Sequence, residues 1–160
     1  WKHCGSDITD TMDLVLIGKE TPFYKRLLKE IEDKQIPSVR YLGYVPDEQM
    51  RPWYEQAVAF VFPSLSEGWG IPPLEAQACG TPVISSTETS LPEVLGDAAL
   101  YADPYSVEQW AYTMRLLVED KGLRHELSVK GKKHVQQFDW AKTAQKTFAL
   151  YRQVFRSLHS

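Results

Sequence analysis

Two carboxylates, Glu67 and Glu75, stand with seven residues between them in the stretch FPSLSEGWGIPPLEAQACGTPVIS, separated by Gly68, Trp69, Gly70, Ile71 and the pair Pro72 and Pro73. Glycines let a backbone approach a ligand and take up angles closed to other residues. Prolines preset a first helical turn and need no amide donors there. The amides of Gly70, Ile71 and Leu74 would then point at whatever occupies the loop, with the positive end of the helix dipole behind them, an arrangement that seats a phosphate. A carboxylate beside a bound diphosphate is repelled by it, so a functional Glu75 must face a neutral diol, and a ribose offers one. Glu67, ahead of the glycines, could reach a sugar hanging from the far phosphate. Each residue also has a plainer reading: the glycines as a turn, Glu75 as a capping or dipole partner, and Glu67 as a solvated loop acid.

Such a loop needs a strand before it and a helix after it, and the sequence supplies both. Short apolar runs alternate with longer amphipathic stretches, the pattern of parallel strands joined by crossover helices in an α/β, Rossmann-like sheet. The runs DLVLIG from Asp13, VRYLG from Val39, AFVFP from Ala59, TPVIS from Thr81 and AALYA from Ala98 predict five strands, continuous because both faces are buried. Thr21 predicts a cap for a helix from Pro22 to about Lys34, with Phe23, Leu27, Leu28 and Ile31 on one face. Asp47 predicts the cap of the next helix, which Pro52 should split. Gly80 reads as a helix stop, and Ser106, Gly122 and Asp139 as three successive helix starts. In the last helix Trp140, Ala144, Phe148, Tyr151 and Phe155 recur at helical spacing, a stripe expected to pack on its own domain, with a neighbouring domain as the alternative.

At 160 residues and a net charge of −3 the chain reads as one domain over 1–160, large enough for a real core and without the basic stripe that a sequence-independent grip on nucleic acid requires. No apolar run approaches the ~20 residues of a membrane-spanning helix, and the expectation is a cytoplasmic protein. Cys4 and Cys79 cannot form a disulfide framework and read as reduced thiols. His3, His125, His134 and His159 lack a second ligand at metal-binding spacing and read as surface residues. The chain opens on Trp1 in mid-pattern, which reads as a fragment.

The joint pattern resembles the donor-binding, C-terminal domain of retaining glycosyltransferases of the GT-B fold, the group 1 family. It is carried by EGWGIPPLE, AQACGTPVI and TSLPEVLGDAAL, and by the earlier blocks YLGYVPDEQM and VFPSLSEG, and it runs from Leu14 to the last helix. The resemblance implies a nucleotide sugar as donor substrate and no metal or other cofactor. It implies Glu67 beside the donor sugar as the catalytic candidate, with Gly68, Trp69, Gly70 and Ile71 receiving sugar hydroxyls and diphosphate. Glu75 would hold the ribose, and Tyr44 and Val45 would lie beside the base. Trp69 stands where the family often has phenylalanine.

Two departures from the family pattern matter more. A first strand, followed by a loop with an arginine and a lysine for the diphosphate, would precede Trp1, and so would an N-terminal acceptor-binding domain. Lys19 is not promoted to that role and reads as a surface lysine. The family's strand order, 3-2-1-4-5-6, would put the absent strand between DLVLIG and AFVFP and leave two bare edges, open to a missing segment, a partner or a second copy. Half an enzyme would transfer no sugar alone, and the complete one could sit peripherally at a membrane. Two other classes compete: a dinucleotide-binding oxidoreductase, against which stands the lack of G-x-G-x-x-G after a strand, and a non-catalytic interaction domain.

Overall fold

All five apolar runs form strands, and all of them pair in parallel. The computed structural model describes residues 1–158, so His159 lies outside the described residues. In chain order the elements are α1 (Ser6–Thr9), β1 (Leu14–Ile17), α2 (Pro22–Asp33), β2 (Val39–Gly43), α3 (Met50–Gln56), β3 (Phe60–Phe62), α4 (Ile71–Cys79), β4 (Val83–Ser86), α5 (Leu91–Leu95), β5 (Leu100–Ala102), α6 (Val107–Glu119), α7 (Lys121–His134) and α8 (Trp140–Leu158). Short 3-10 turns cover Lys2–Cys4, Asp47–Gln49 and Val135–Gln137.

The strands fall into two groups. β1 pairs with β2, Leu14 opposite Val39, while β4 lies between β3 and β5, with Ile84 opposite both Val61 and Leu100. β1 and β3 do not pair. A cleft of about 930 Å³ separates them, lined by Val15, Leu16 and Ile17 on one side and by Ala59, Phe60 and Val61 on the other. The gap falls where the strand order places a further strand. Residues 1–12 bridge it: Cys4 and Ile8 are buried against Ala111 of α6, Arg115 pairs with Asp7 at 2.8 Å, and Trp1 Nε1 donates to the Pro37 carbonyl beside β2.

β4 shows why its run is unbroken. Val83 packs into a cluster with Tyr54, Ala76, Leu91, Val94 and Leu95, whereas Ile84 packs into the opposite one with Trp110, Leu117 and Leu127. Both are fully buried. This three-layer region, α3 to α5 on one face and α6 and α7 on the other, is the core that holds the loop after β3.

Several expected details differ. The face of α2 is not buried: Phe23 is 85% exposed and the helix has no buried residue, because a two-stranded sheet offers too little surface to cover it. Tyr24 and Ile31 are half-buried, Tyr24 with its ring tilted against that of Tyr41, centroids 3.8 Å apart. Asp47 opens a 3-10 turn without capping it, and the break in helical structure falls before Met50, leaving Pro52 inside the first turn of α3, where it costs no hydrogen bond. α7 begins one residue earlier than Gly122 suggests, since the Asp120 carboxylate accepts from the Leu123 amide at 2.8 Å. Thr21, Ser106 and Asp139 do cap their helices. The stripe on α8 does not pack on its own domain: Trp140 is 82% exposed, Phe148 and Tyr151 are exposed, and the helix has no buried residue.

Candidate functional site at the start of α4

β3 delivers the chain to the carboxyl edge of the sheet, and residues 63–70 form the loop that enters α4. Gly70 caps that helix with φ of 100°, a left-handed conformation, and a Cβ there would lie 2.7 Å from Leu91 Cδ2. Backbone angle and space both demand glycine. Gly68 differs from the expectation: its φ is not in the left-handed range and a Cβ would meet nothing within 4 Å, so it only leaves the backbone uncovered. Pro72 and Pro73 occupy the first turn, as their missing amides suggest. Among the described residues the amides of Gly68, Trp69, Gly70 and Ile71 donate no hydrogen bond, whereas that of Leu74, the fourth residue of α4, stands where the helix makes its first bond to the Gly70 carbonyl, so it is not one of the free donors. These donors, at the positive end of α4, form an anion-binding arrangement.

Glu67 is half-buried and tightly held. Its carboxylate accepts from Ser64 Oγ at 2.8 Å, its amide donates to Thr89 Oγ1 at 3.0 Å, and its carbonyl accepts from Ser90 Oγ at 2.9 Å. Glu75 is the fifth residue of α4, too far along to cap it, and its carboxylate accepts from the Tyr54 hydroxyl at 3.2 Å. Burial first, then the negative charge of Glu75, pushes the Tyr54 phenol well above its ordinary range, so it stays a neutral donor. The capping reading of Glu75 therefore falls away.

Tyr44, Val45, Pro72 and Glu75 line the mouth of the cleft together. Glu67, Gly68, Trp69, Gly70 and Ile71 are not part of that lining. The Trp69 ring meets Phe138 edge to face with centroids 5.7 Å apart and remains half exposed. Phe138 in turn meets His134, which is half-buried and bonds the Val94 carbonyl at 2.7 Å, a structural role that a reading as surface residue missed.

Lys19 is exposed, as the reading as a surface lysine expects. It lines the same cleft, with Nζ 5.4 Å from the centroid of the Tyr44 ring. The sequence signal was its place directly after β1, at the carboxyl edge where ligands collect in such sheets. Tyr54, Thr89 and Ser90 carried no local signal, because their partners are 21 to 23 residues away. Among the described residues no three His, Cys, Asp or Glu side chains gather as a metal site, and no helix is long and apolar enough to cross a membrane.

The family model of the glycosyl transferases group 1 matches residues 6–134. The chain belongs to that family. Known proteins match both its sequence and its fold. O-antigen chain mannosyltransferase B of Escherichia coli is 43% identical over 114 residues, which cover 71% of this chain and 30% of that protein. Sucrose-phosphate synthase from Thermosynechococcus elongatus superposes with a TM-score of 0.81 at 27% identity, over 91% of this chain and 39% of the synthase. The C-terminal domain of a group 1 family protein from Francisella tularensis does so with a TM-score of 0.67 at 28% identity, over 78% of this chain and 68% of that domain. The architecture is the Rossmann-like C-terminal half of a GT-B glycosyltransferase, and the chain spans less than a third of the length of the curated mannosyltransferase it matches.

Proposed function

We propose that this chain is the donor half of a retaining group 1 glycosyltransferase, which binds a nucleoside-diphosphate hexose and presents it to an acceptor hydroxyl held by a separate N-terminal domain. The observation that carries the reading is the α4 N-terminus, where the backbone amides of residues 68–71, without hydrogen-bond partners among the described residues, follow Glu67 in the chain and precede Glu75. Charge develops on the leaving diphosphate as the glycosidic bond to it breaks, and preorganised amides and a helix dipole stabilise that charge without a metal ion. Glu75, held by Tyr54, accepts from the ribose hydroxyls. Tyr44 and Val45 flank the base. Glu67 lies beside the sugar, on the reacting face. The identity to an O-antigen chain mannosyltransferase favours mannose among hexoses. Such an enzyme works where nucleotide sugars are made, in the cytoplasm.

Transfer from labelled nucleoside-diphosphate sugars tests the reading, measured for this chain alone and for a polypeptide that joins it to an acceptor-binding domain. The chain alone should transfer nothing, since positioning of the acceptor supplies much of the rate. The joined polypeptide should transfer with retained anomeric configuration, and Glu67→Ala should abolish transfer while nucleotide binding persists. Robust turnover by the chain alone, or inverted product, contradicts the proposal.

A further inference from the structure

The turn after β4, residues 87–90, folds back over the Glu67 loop. Thr89 Oγ1 accepts from the Glu67 amide at 3.0 Å, and Ser90 Oγ donates to the Glu67 carbonyl at 2.9 Å while lying 3.3 Å from the Trp69 carbonyl. Ser86, the last residue of β4, donates to the Ser64 carbonyl, and Ser64 Oγ donates to the Glu67 carboxylate at 2.8 Å. Both backbone polar groups of Glu67 and its carboxylate are thus fixed by hydroxyls. Those of Thr89 and Ser90 come from a segment more than twenty residues away, anchored by the buried strand β4.

Thr89 adds an independent observation. Its φ is 52°, a left-handed conformation that a β-branched residue adopts at a cost, and its side chain is exposed. A turn chosen for its backbone alone would carry glycine or asparagine there. Threonine supplies a hydroxyl aimed at the Glu67 amide. Serine at 90 makes no capping bond to α5, so its hydroxyl too is committed to the Glu67 loop.

We infer that Thr89 and Ser90 are positioning residues that hold Glu67, and with it the amides of Gly68 and Gly70, in the geometry needed for sugar transfer. They act through the backbone of the loop and touch no substrate. The inference rests on the reading of Glu67 given above. Displacing a reacting group by even an ångström slows a reaction steeply, on the order of a hundredfold.

Thr89→Gly separates positioning from support, because glycine accepts the left-handed angle freely and offers no hydroxyl, whereas Thr89→Ser keeps the hydroxyl. In the polypeptide that also carries the acceptor-binding domain, Thr89→Gly and Ser90→Ala should each lower kcat about tenfold or more, with KM for the donor and the melting temperature close to the parent values. Thr89→Ser should restore kcat to within about twofold of the parent, as its hydroxyl can still accept the Glu67 amide. Parental kcat in Thr89→Gly and Ser90→Ala, in an enzyme that Glu67→Ala inactivates, overturns this inference and leaves the reading of Glu67 standing. An equal loss of kcat in Thr89→Ser and Thr89→Gly overturns it as well, since the hydroxyl would then be irrelevant. Full activity in Glu67→Ala removes the reading and the inference together.

Discussion

At the scale of single residues, the site depends on two glycines that are not equivalent. Gly70 needs both its left-handed angle and the space beside Leu91, so Gly70→Ala should cost about 1 to 3 kcal/mol of stability. Gly68→Ala should cost well under that, because nothing crowds the position. Urea denaturation of the two variants gives the comparison, and equal midpoints would show that the loop does not hold the geometry described. Glu75 belongs to the same scale. Removing its charge in Glu75→Gln should weaken UDP, GDP and ADP alike by about 1 to 3 kcal/mol, the worth of a hydrogen bond to a charged acceptor. The side chain is exposed and caps nothing, so the melting point should hold. Calorimetric titrations with unchanged affinity would take the ribose role away from Glu75.

At the scale of elements, the unpaired edges of β1 and β3 carry the clearest consequence. The amides of Leu14 and Gly18 donate across to the β2 side, so those of Val15 and Ile17, of opposite parity, face the gap. Val61 faces it from the other side, since Phe60 donates to the Pro82 carbonyl. Hydrogen exchange at Val15, Ile17 and Val61 should run near the rate of exposed amides, while Ile84 and Ser85 in the middle of β4 exchange only on global opening. Protection of Val15 and Val61 comparable to that of Ile84 would mean that the edges are covered, by each other or by a second copy.

These elements were readable because each leaves a local trace: a run of apolar residues for a strand buried on both faces, a hydroxyl or carboxylate for a cap at Thr21, Ser106 and Asp139, and a glycine at 80 for a stop. Where the cause was distant, the sequence misled. The apolar face of α2 has helical spacing whether or not a sheet wide enough to cover it is present. The edge-to-face contact of the Trp69 ring with Phe138, 69 positions on, likewise left no local trace. Glu67 and Glu75 were visible as a spaced pair, yet the partners that fix them, Tyr54, Ser64, Thr89 and Ser90, have no pattern of their own. Of the four, only Ser64 is near its glutamate in sequence.

At the scale of the whole molecule, the core is uneven. β4, α5 and α6 each hold fully buried side chains, among them Ile84, Leu91 and Leu117, whereas the described residues of β1, α2 and α8 hold none. Trp140→Ser and Tyr151→Ser should therefore change the stability of this chain by no more than about 0.5 kcal/mol, as for other exposed positions. Thermal denaturation showing a loss of several degrees would restore the expectation that the α8 stripe packs on its own domain. The same unevenness puts the Glu67 loop, tied to the turn after the buried strand β4, on the well-packed side, and Tyr44 and Val45, proposed to flank the base, on the thinner side. The central claim is that a nucleoside diphosphate spans the two. Amide NMR of the 160-residue chain during titration with UDP, GDP, ADP and NAD tests it most directly. A nucleoside diphosphate should bind weakly, with Kd in roughly the millimolar range, and should shift the amides of Gly68, Gly70, Ile71 and Leu74 together with those of Tyr44 and Val45. Shifts confined to other surfaces, or a response to NAD alone, would contradict it.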